Sequence, residues 1–207
     1  MNRIEPAYWP TAVMHLIEAD ATLGRLILQY PEASMHSRGD AFTTLARAIT
    51  GQQISLKAAD TIWQRLSLLT EITPLALSMQ PVVSLRSCGY SQRKAEYLHD
   101  LARHFADGLI KVDAWPNMED EAIILDLTRI RGIGRWSAEM FLMFNLLRPD
   151  VFPLDDIGLQ KALVLHYPDL ALQSKAVWRQ HAERWKPWRS VATWYLWRSL
   201  DPVAVSY

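Results

Sequence analysis

The spacing of apolar residues constrains this fold more than any other feature of the chain. Across residues 41–66, AFTTLARAITGQQISLKAADTIWQRL, apolar side chains recur every three or four residues, with one break at Gly51. Residues 94–110 repeat the pattern, and residues 137–147 are apolar at almost every position. This period is typical of helices that bury one face or more. Because alternating strand patterns of useful length are absent, the sequence predicts an all-α fold with short loops.

Composition excludes several classes of protein. The 207 residues can form one large core or two small ones. The single cysteine, Cys88, excludes internal disulfides, a four-cysteine zinc site and an iron–sulfur cluster held by cysteines of this chain. No stretch has the pattern of a signal peptide or a membrane span, so we expect a cytoplasmic protein with no membrane partner. Net charge is zero, so nucleic-acid binding would need a local face.

The most specific motif is LTRIRGIGRWSAEMF, residues 127–141. Gly132 and Gly134 flank one aliphatic residue, Ile133, which can fill the space between two helices. Glycines permit a tight turn and the close approach of another backbone. The following helix, beginning near Ser137, would present N–H groups with no partner inside the helix, and such groups bind anions.

A DNA phosphate is the natural ligand of such a turn, because binding it requires neither sequence reading nor a globally basic protein. Arg131 and Arg135 would flank the site with positive charge. The alternative interpretation is an ordinary glycine-rich corner between helices. The complete pattern, apolar-x-x-apolar-x-Gly-Ile-Gly-x-x-x-Ala, favours the phosphate-binding hairpin.

Two adjacent acidic residues, Asp155 and Asp156, precede the predicted helix in VFPLDDIGLQKAL. Either carboxylate could cap a helix beginning near Ile157. The positive end of the helix dipole would stabilise the charge of a carboxylate there, as an electrostatic catalyst requires. The local sequence does not separate these roles and favours capping for both residues.

The sequence resembles the helix-hairpin-helix DNA glycosylase superfamily, and most of all its alkylation-repair branch, the 3-methyladenine DNA glycosylases II. The resemblance extends from about residue 40 to 198 and rests on the following stretches: AITGQQIS (48–55), CGYSQRKAEYL (88–98), GIGRWSAEMF (132–141), DVFPLDDIGLQKA (150–162) and RWKPWRS (184–190).

The resemblance implies two helical subdomains with a DNA-binding cleft between them. Residues 1–38 would pack with the C-terminal subdomain, residues 39–147 would form the central subdomain with the hairpin, and residues 148–207 would form the C-terminal subdomain. We expect no additional N-terminal α/β domain of the kind found in some relatives.

The resemblance also implies a reaction. The protein would flip an alkylated purine, of the 3-methyladenine or 7-methylguanine type, out of double-stranded DNA and hydrolyse its N-glycosidic bond. Relatives that also cut the strand carry a lysine where this chain has Trp136. Tryptophan cannot form a Schiff base, so the expected enzyme is monofunctional and leaves an abasic site. The alternatives are a glycosylase for other damaged or mismatched bases and a non-catalytic DNA-binding module.

By the same resemblance, Asp156 is the catalytic residue, and the base pocket contains Trp136, Trp197 and Met140. The face of Trp136 would attract a cationic base. Met140 and Arg198 occupy positions where relatives have pocket tyrosines, which leaves the range of bases open.

The expected DNA contacts include Gln53, which matches the wedge that fills the gap left by a flipped base. The full set is Gly132, Ile133, Gly134, Arg135, Ser137, Gln52, Gln53, Arg93 and Lys94. The alternative for the two glutamines is a loop-capping role, and for the two basic residues simple solvation.

The resemblance implies that no cofactor is required and that the backbone carbonyls of Thr128, Ile130 and Ile133 could hold a structural Na⁺ or K⁺, as in related hairpins. No side-chain cluster has transition-metal spacing. We expect a monomer.

Overall fold

The computed structural model describes residues 6–31, 34–37 and 39–200, so the predicted terminal segments 1–38 and 148–207 extend beyond it. Within these ranges the secondary structure is helical and no strand occurs, which confirms the predicted fold class. The α-helices are α1 (Trp9–Ala19), α2 (Ala21–Gln29), α3 (Ala41–Gly51), α4 (Leu56–Leu69), α5 (Pro74–Ser78), α6 (Val82–Ser87), α7 (Gln92–Ala106), α8 (Asp120–Thr128), α9 (Arg135–Phe144), α10 (Ile157–His166), α11 (Lys175–His181) and α12 (Arg189–Arg198). Short 3₁₀ helices span Val112–Asn117, Pro168–Leu170 and Ala182–Trp185.

Side-chain caps determine where most of these helices begin. A serine, threonine or aspartate oxygen accepts a backbone N–H of the first turn, which otherwise has no partner within the helix. The capping residues are Asp20, Asp40, Ser55, Thr73, Ser91, Asp156 and Ser174. The break in the apolar pattern at Gly51 coincides with the end of α3, whose last residue is Gly51. Helix α4 begins five residues later, after the Ser55 cap.

Two compact units make up the chain. Described residues up to Ser37 fold with those from Leu142 onward, and those from Gly39 to Phe141 form the second unit. This division lies inside α9, six residues before the expected boundary at 147/148. The expected subdomain boundaries therefore stay predictions. None of the described helices is long and apolar enough to cross a membrane.

The first unit is built from both ends of the chain. Helices α1 and α2 pack on each other and on α12, and α12 also packs on α10. Its core is rich in aromatic side chains: the fully buried Trp185 and Tyr195 lie with Leu16 and Leu23 in this core. Trp9 packs against Trp194 and Tyr195. The tryptophans near the C-terminus therefore serve chiefly to build this core.

In the second unit, α7 is the central helix. It packs against α3, α5 and α6, and its buried face contains Leu98 and Leu101. Opposite them, Leu45 and Ile49 of α3 are fully buried. The three- and four-residue spacing visible in the sequence supplies these apolar faces.

Candidate active site and nucleic-acid contacts

Asp156 is a buried helix cap. It immediately precedes α10, and its side chain is held there because Oδ1 accepts the backbone N–H of Leu159 at 2.6 Å. The indole N–H of Trp197 donates to the same oxygen at 2.7 Å. Only 7 % of the residue is exposed. Two N–H groups therefore stabilise negative charge on this oxygen in a site with little water.

Gly158 provides the space for this arrangement. A Cβ atom at this position would lie 3.0 Å from Asp156 Oδ1 and 3.2 Å from the Trp197 ring. Trp197 is itself buried and stacks on Phe144, with ring centroids 6.0 Å apart. In the structure the indole thus orients the carboxylate, while its predicted place in the base pocket stays a prediction.

Asp155 has a different environment. Its side chain is mostly exposed and forms an ion pair with Lys175. The two neighbouring carboxylates, which local sequence could not separate, therefore differ in burial and in partner.

The glycine hairpin follows α8 in the second unit. Gly132 has a φ of +85°, and a Cβ atom there would lie 2.2 Å from the Tyr97 ring, so only glycine fits. Ile133 is buried, as expected for a residue that fills the space under the turn. A Cβ atom on Gly134 would meet no atom within 4 Å, so this position is open. Gly134 O accepts the N–H of Ala138 as α9 begins.

The two arginines of the hairpin do not supply free positive charge. Both terminal nitrogens of Arg135 donate to Glu121, at 2.7 and 2.8 Å, and its Nε donates to Glu139. Arg131 donates to Glu96 at 3.0 Å. The pair with Glu121 raises the pKa of Arg135 and lowers the pKa of Glu121.

Carboxylates thus compensate the charge of both arginines in the structure, and the predicted role of Arg131 and Arg135 beside a DNA phosphate stays a prediction. Anion binding at the hairpin would depend on backbone N–H groups in the first turn of α9, including those of Arg135 and Ser137.

The turn between α3 and α4 contains the two glutamines. Gln53 is exposed and has a φ of +57°, which is uncommon for a residue with a side chain. Gln52 donates from Nε2 to the carbonyl of Gly132 at 2.9 Å. Lys94 donates from Nζ to the carbonyl of Thr50 at 2.9 Å, and partial burial lowers its pKa. Arg93 is exposed on the first turn of α7.

Comparison with known proteins identifies the family. The family model described as HhH-GPD superfamily base excision DNA repair protein matches residues 46–187. The chain belongs to this superfamily. It is 32 % identical to DNA-3-methyladenine glycosylase 1 of Schizosaccharomyces pombe over 91 % of this chain and 86 % of the relative.

Solved structures agree with this assignment. The HhH-GPD chain is similar to a DNA-3-methyladenine glycosidase from Bacillus halodurans, with a TM-score of 0.85 and 31 % identity, covering 96 % of this chain and 92 % of the other. It is also similar to 3-methyladenine DNA glycosylase Mag1 of Schizosaccharomyces pombe in complex with abasic DNA. That match has a TM-score of 0.74 and 29 % identity, covering 95 % and 100 % of the two chains.

The expected pocket residues of this HhH-GPD protein differ in exposure. Trp136 lies in the first turn of α9 and is 39 % exposed, so the residue is partly accessible from solvent. Met140, one turn later in the same helix, is buried. Arg198 stacks over the ring of Tyr30, with its guanidinium carbon 4.6 Å from the ring centroid, and thus contributes to packing in the first unit.

A metal site is not formed by side chains in the described ranges, where no group of three His, Cys, Asp or Glu side chains could hold an ion. The hairpin carbonyls are chemically suited to an alkali cation, since hard cations prefer oxygen ligands. Ile130 O already accepts the N–H of Ile133 at 3.1 Å, and a carbonyl oxygen has a second lone pair. The Ile133 and Thr128 carbonyls lie in the same short segment.

Several residues that shape these sites were missed by sequence reasoning. Tyr97 makes Gly132 obligatory, Gly158 leaves room for the Asp156–Trp197 pair, and Glu121 neutralises Arg135. Gly158 carried a usable signal. A glycine in the first turn of an otherwise regular helix is destabilising, so its presence indicates that a side chain would not fit there. Tyr97 and Glu121 carried none, since their partners are distant in sequence.

Proposed function

We propose that this HhH-GPD protein is a monofunctional DNA glycosylase that removes alkylated purines of the 3-methyladenine and 7-methylguanine type from double-stranded DNA. The single observation that carries the proposal is the buried Asp156 carboxylate, held by the Leu159 amide and the Trp197 indole. The relatives named as 3-methyladenine glycosylases support the choice of substrate.

The chemistry requires little acid assistance. An alkylated purine that carries a positive charge is already a good leaving group, so the bond to the sugar breaks when the developing oxocarbenium-like charge is stabilised. A fixed carboxylate with little surrounding water provides this stabilisation without reorganising during the reaction. Asp156 would also position the water that adds to the sugar, and the product would be an abasic site.

The base must first leave the duplex, because its glycosidic bond is inaccessible inside the stack. Backbone N–H groups beside Gly134 would bind a DNA phosphate, which is consistent with open space at that glycine. The exposed Gln53 at the tip of the α3–α4 turn would fill the gap left by the flipped base, and Arg93 would add a phosphate contact.

Trp136 would bind the extracted base. Its partly exposed ring can stack on a cationic purine through its negative π-face. The same residue stands in place of the lysine of strand-cutting relatives, so no covalent intermediate with the sugar would form. Release of base without strand cleavage is therefore expected.

The test is base release from duplexes carrying single alkylated purines, measured at enzyme excess. Wild-type protein should release the base, whereas Asp156→Asn should lose release by about a thousandfold, because one stabilising carboxylate contributes on that scale. DNA affinity of the variant should stay within about twofold of wild type.

Asp155→Asn is the matched control, since it makes the same chemical change at the adjacent position. It removes an exposed ion pair and should retain most of the activity. Full release by Asp156→Asn would contradict the catalytic assignment. Tight binding of alkylated DNA by wild-type protein without any release would instead indicate a non-catalytic DNA-binding module.

We also propose that the protein acts as a cytoplasmic monomer and binds an alkali cation through the Thr128, Ile130 and Ile133 carbonyls. The cation would have a structural role, in which it tightens the turn before α9, and no reaction step depends on it. Light scattering at micromolar concentration tests the oligomeric state. A K⁺- or Na⁺-dependent gain in thermal stability relative to a bulky organic cation tests the ion site.

A further inference from the structure

The α3–α4 turn, residues 52–55, is held only weakly by its own backbone. The N–H of Gln52 reaches Ile49 O at 3.4 Å, and the N–H of Ile54 reaches Gly51 O at 3.4 Å. Both distances exceed the usual range for a backbone hydrogen bond, about 2.7–3.2 Å. Gln53 also adopts a left-handed conformation, which costs free energy that the surroundings must offset. The turn therefore needs anchors elsewhere.

One anchor is the hydrogen bond from Gln52 Nε2 to Gly132 O, at 2.9 Å between residues 80 positions apart. It joins the turn that carries Gln53 directly to the glycine hairpin. The position of Gly132 O is itself well defined, because the residue has a positive φ and lies against Tyr97.

The second anchor holds the end of α3. Lys94 Nζ donates to Thr50 O, and the Thr50 hydroxyl bonds the Ala46 carbonyl and the Tyr90 hydroxyl, at 2.8 and 2.7 Å. Burial lowers the pKa of Lys94, as expected for an ammonium group held partly out of water. Helix α7 thus secures Thr50, two residues before the turn.

We infer that Gln52 is a positioning residue, which sets the location of Gln53 relative to the Gly132–Gly134 hairpin, and that Lys94 supports it. The inference rests on the proposed function, in which the hairpin binds a phosphate and Gln53 enters the duplex. It assigns to Gln52 and Lys94 an internal structural role, in place of the direct DNA contacts expected from sequence.

Such a connection matters for base flipping because the wedge and the phosphate anchor act on the same stretch of DNA. When the distance between wedge and phosphate anchor is set before DNA binds, the turn does not have to become ordered on binding, so the free energy of DNA binding is not reduced by that entropy loss. Loss of the connection should weaken the step that opens a paired duplex, and should matter little where the target base is already unpaired.

The first measurement uses DNA-free protein. Hydrogen exchange of the amides in residues 51–55 should become roughly fivefold faster in Gln52→Ala, because loss of one hydrogen bond frees the turn. Gln52→Glu, which keeps the shape and lacks the N–H donor, should behave alike. Gln53→Ala and Gln64→Ala, the latter at an exposed position of α4, should leave this exchange unchanged.

The second measurement is release of 7-methylguanine from duplexes in which the lesion lies opposite cytosine or opposite an abasic site. Gln52→Ala should lose about fivefold opposite cytosine and less than about twofold opposite the abasic site. Gln64→Ala should match wild type with both duplexes.

Unchanged exchange in Gln52→Ala, or equal losses with the two duplexes, would overturn the positioning role. Loss of activity with unchanged exchange would indicate that Gln52 contacts DNA directly. If wild-type protein releases no base from either duplex, the proposed function fails, whereas the exchange measurement still decides whether Gln52 anchors the turn.

Discussion

At the scale of single residues, the two glycines of the hairpin have different functions, although the sequence presents them as equivalent. Gly132 is required by conformation and by space, since it has a positive φ and lies against the Tyr97 ring. Gly134 has no such constraint, and a side chain there would point into open space. The fold therefore requires Gly132, whereas the absence of a side chain at Gly134 matters for a ligand that approaches the backbone.

Gly132→Ala should lower the free energy of unfolding by about 2 kcal/mol or more, because the methyl group meets the Tyr97 ring in a strained conformation. Gly134→Ala should change it by less than about 0.5 kcal/mol. The affinity of Gly134→Ala for an unmodified duplex should nevertheless fall about fivefold, as its methyl group obstructs a phosphate. Urea denaturation and fluorescence anisotropy measure the two effects, and unchanged DNA affinity of Gly134→Ala would remove the hairpin from the binding surface.

At the scale of secondary-structure elements, aspartate caps differ in how much of the fold depends on them. Asp40 caps α3 at the surface. Asp20 caps α2, because one of its carboxylate oxygens accepts hydrogen bonds from the N–H groups of Thr22 and Leu23. Its other oxygen accepts hydrogen bonds from the Tyr167 hydroxyl and the Trp185 indole N–H, both at 3.0 Å. One buried carboxylate thus connects the second helix to the C-terminal part of the chain.

Asp20→Ala should therefore lower the free energy of unfolding by about 3 kcal/mol or more, because it leaves several buried N–H and O–H groups without an acceptor. Asp40→Ala, the same change at an exposed cap, should cost about 1 kcal/mol. Chemical denaturation of the two variants gives the comparison. Similar losses would mean that Asp20 acts only as a helix cap.

At the scale of the whole molecule, the described segments before Arg38 and after Phe141 fold together in the first unit, and the mostly buried His181 lies beside Asp20 where these segments meet. His181 packs against Tyr167 and Trp185, and its Nε2 is 3.9 Å from Asp20 Oδ2. Burial lowers the pKa of His181 below its usual value, and Arg184 adds to this, whereas Asp20 acts in the opposite direction. Burial also lowers the pKa of His166. The folded state therefore favours both imidazoles in the neutral form.

This preference predicts an acid-dependent loss of stability. Because the pKa of each histidine is lower in the folded state, the stabilisation is fully present at pH values above the pKa of the unfolded state. It is lost as pH falls through the pKa of the folded state. The free energy of unfolding should decrease between about pH 7.5 and about pH 5.5. His181→Gln should show a smaller decrease over the same range in urea titrations. An equal decrease would assign the pH dependence to other groups.

The sequence by itself determined the helical class, the break at Gly51, the glycine hairpin and membership of a glycosylase superfamily. These features are local, because apolar period, caps and turn glycines depend on neighbours within a few residues.

Local sequence did not separate Asp155 from Asp156 and the resemblance only selected Asp156; the physical difference came from the tertiary structure, since the partners that distinguish them, Lys175 and Trp197, lie 20 and 41 residues away. The tertiary structure also revealed the carboxylates that pair with the hairpin arginines, and the hydrogen bond between Gln52 and Gly132, which are 80 residues apart. No local pattern encodes such contacts, because they form only when packing brings distant segments together, and the free energy of a buried polar group depends on those neighbours.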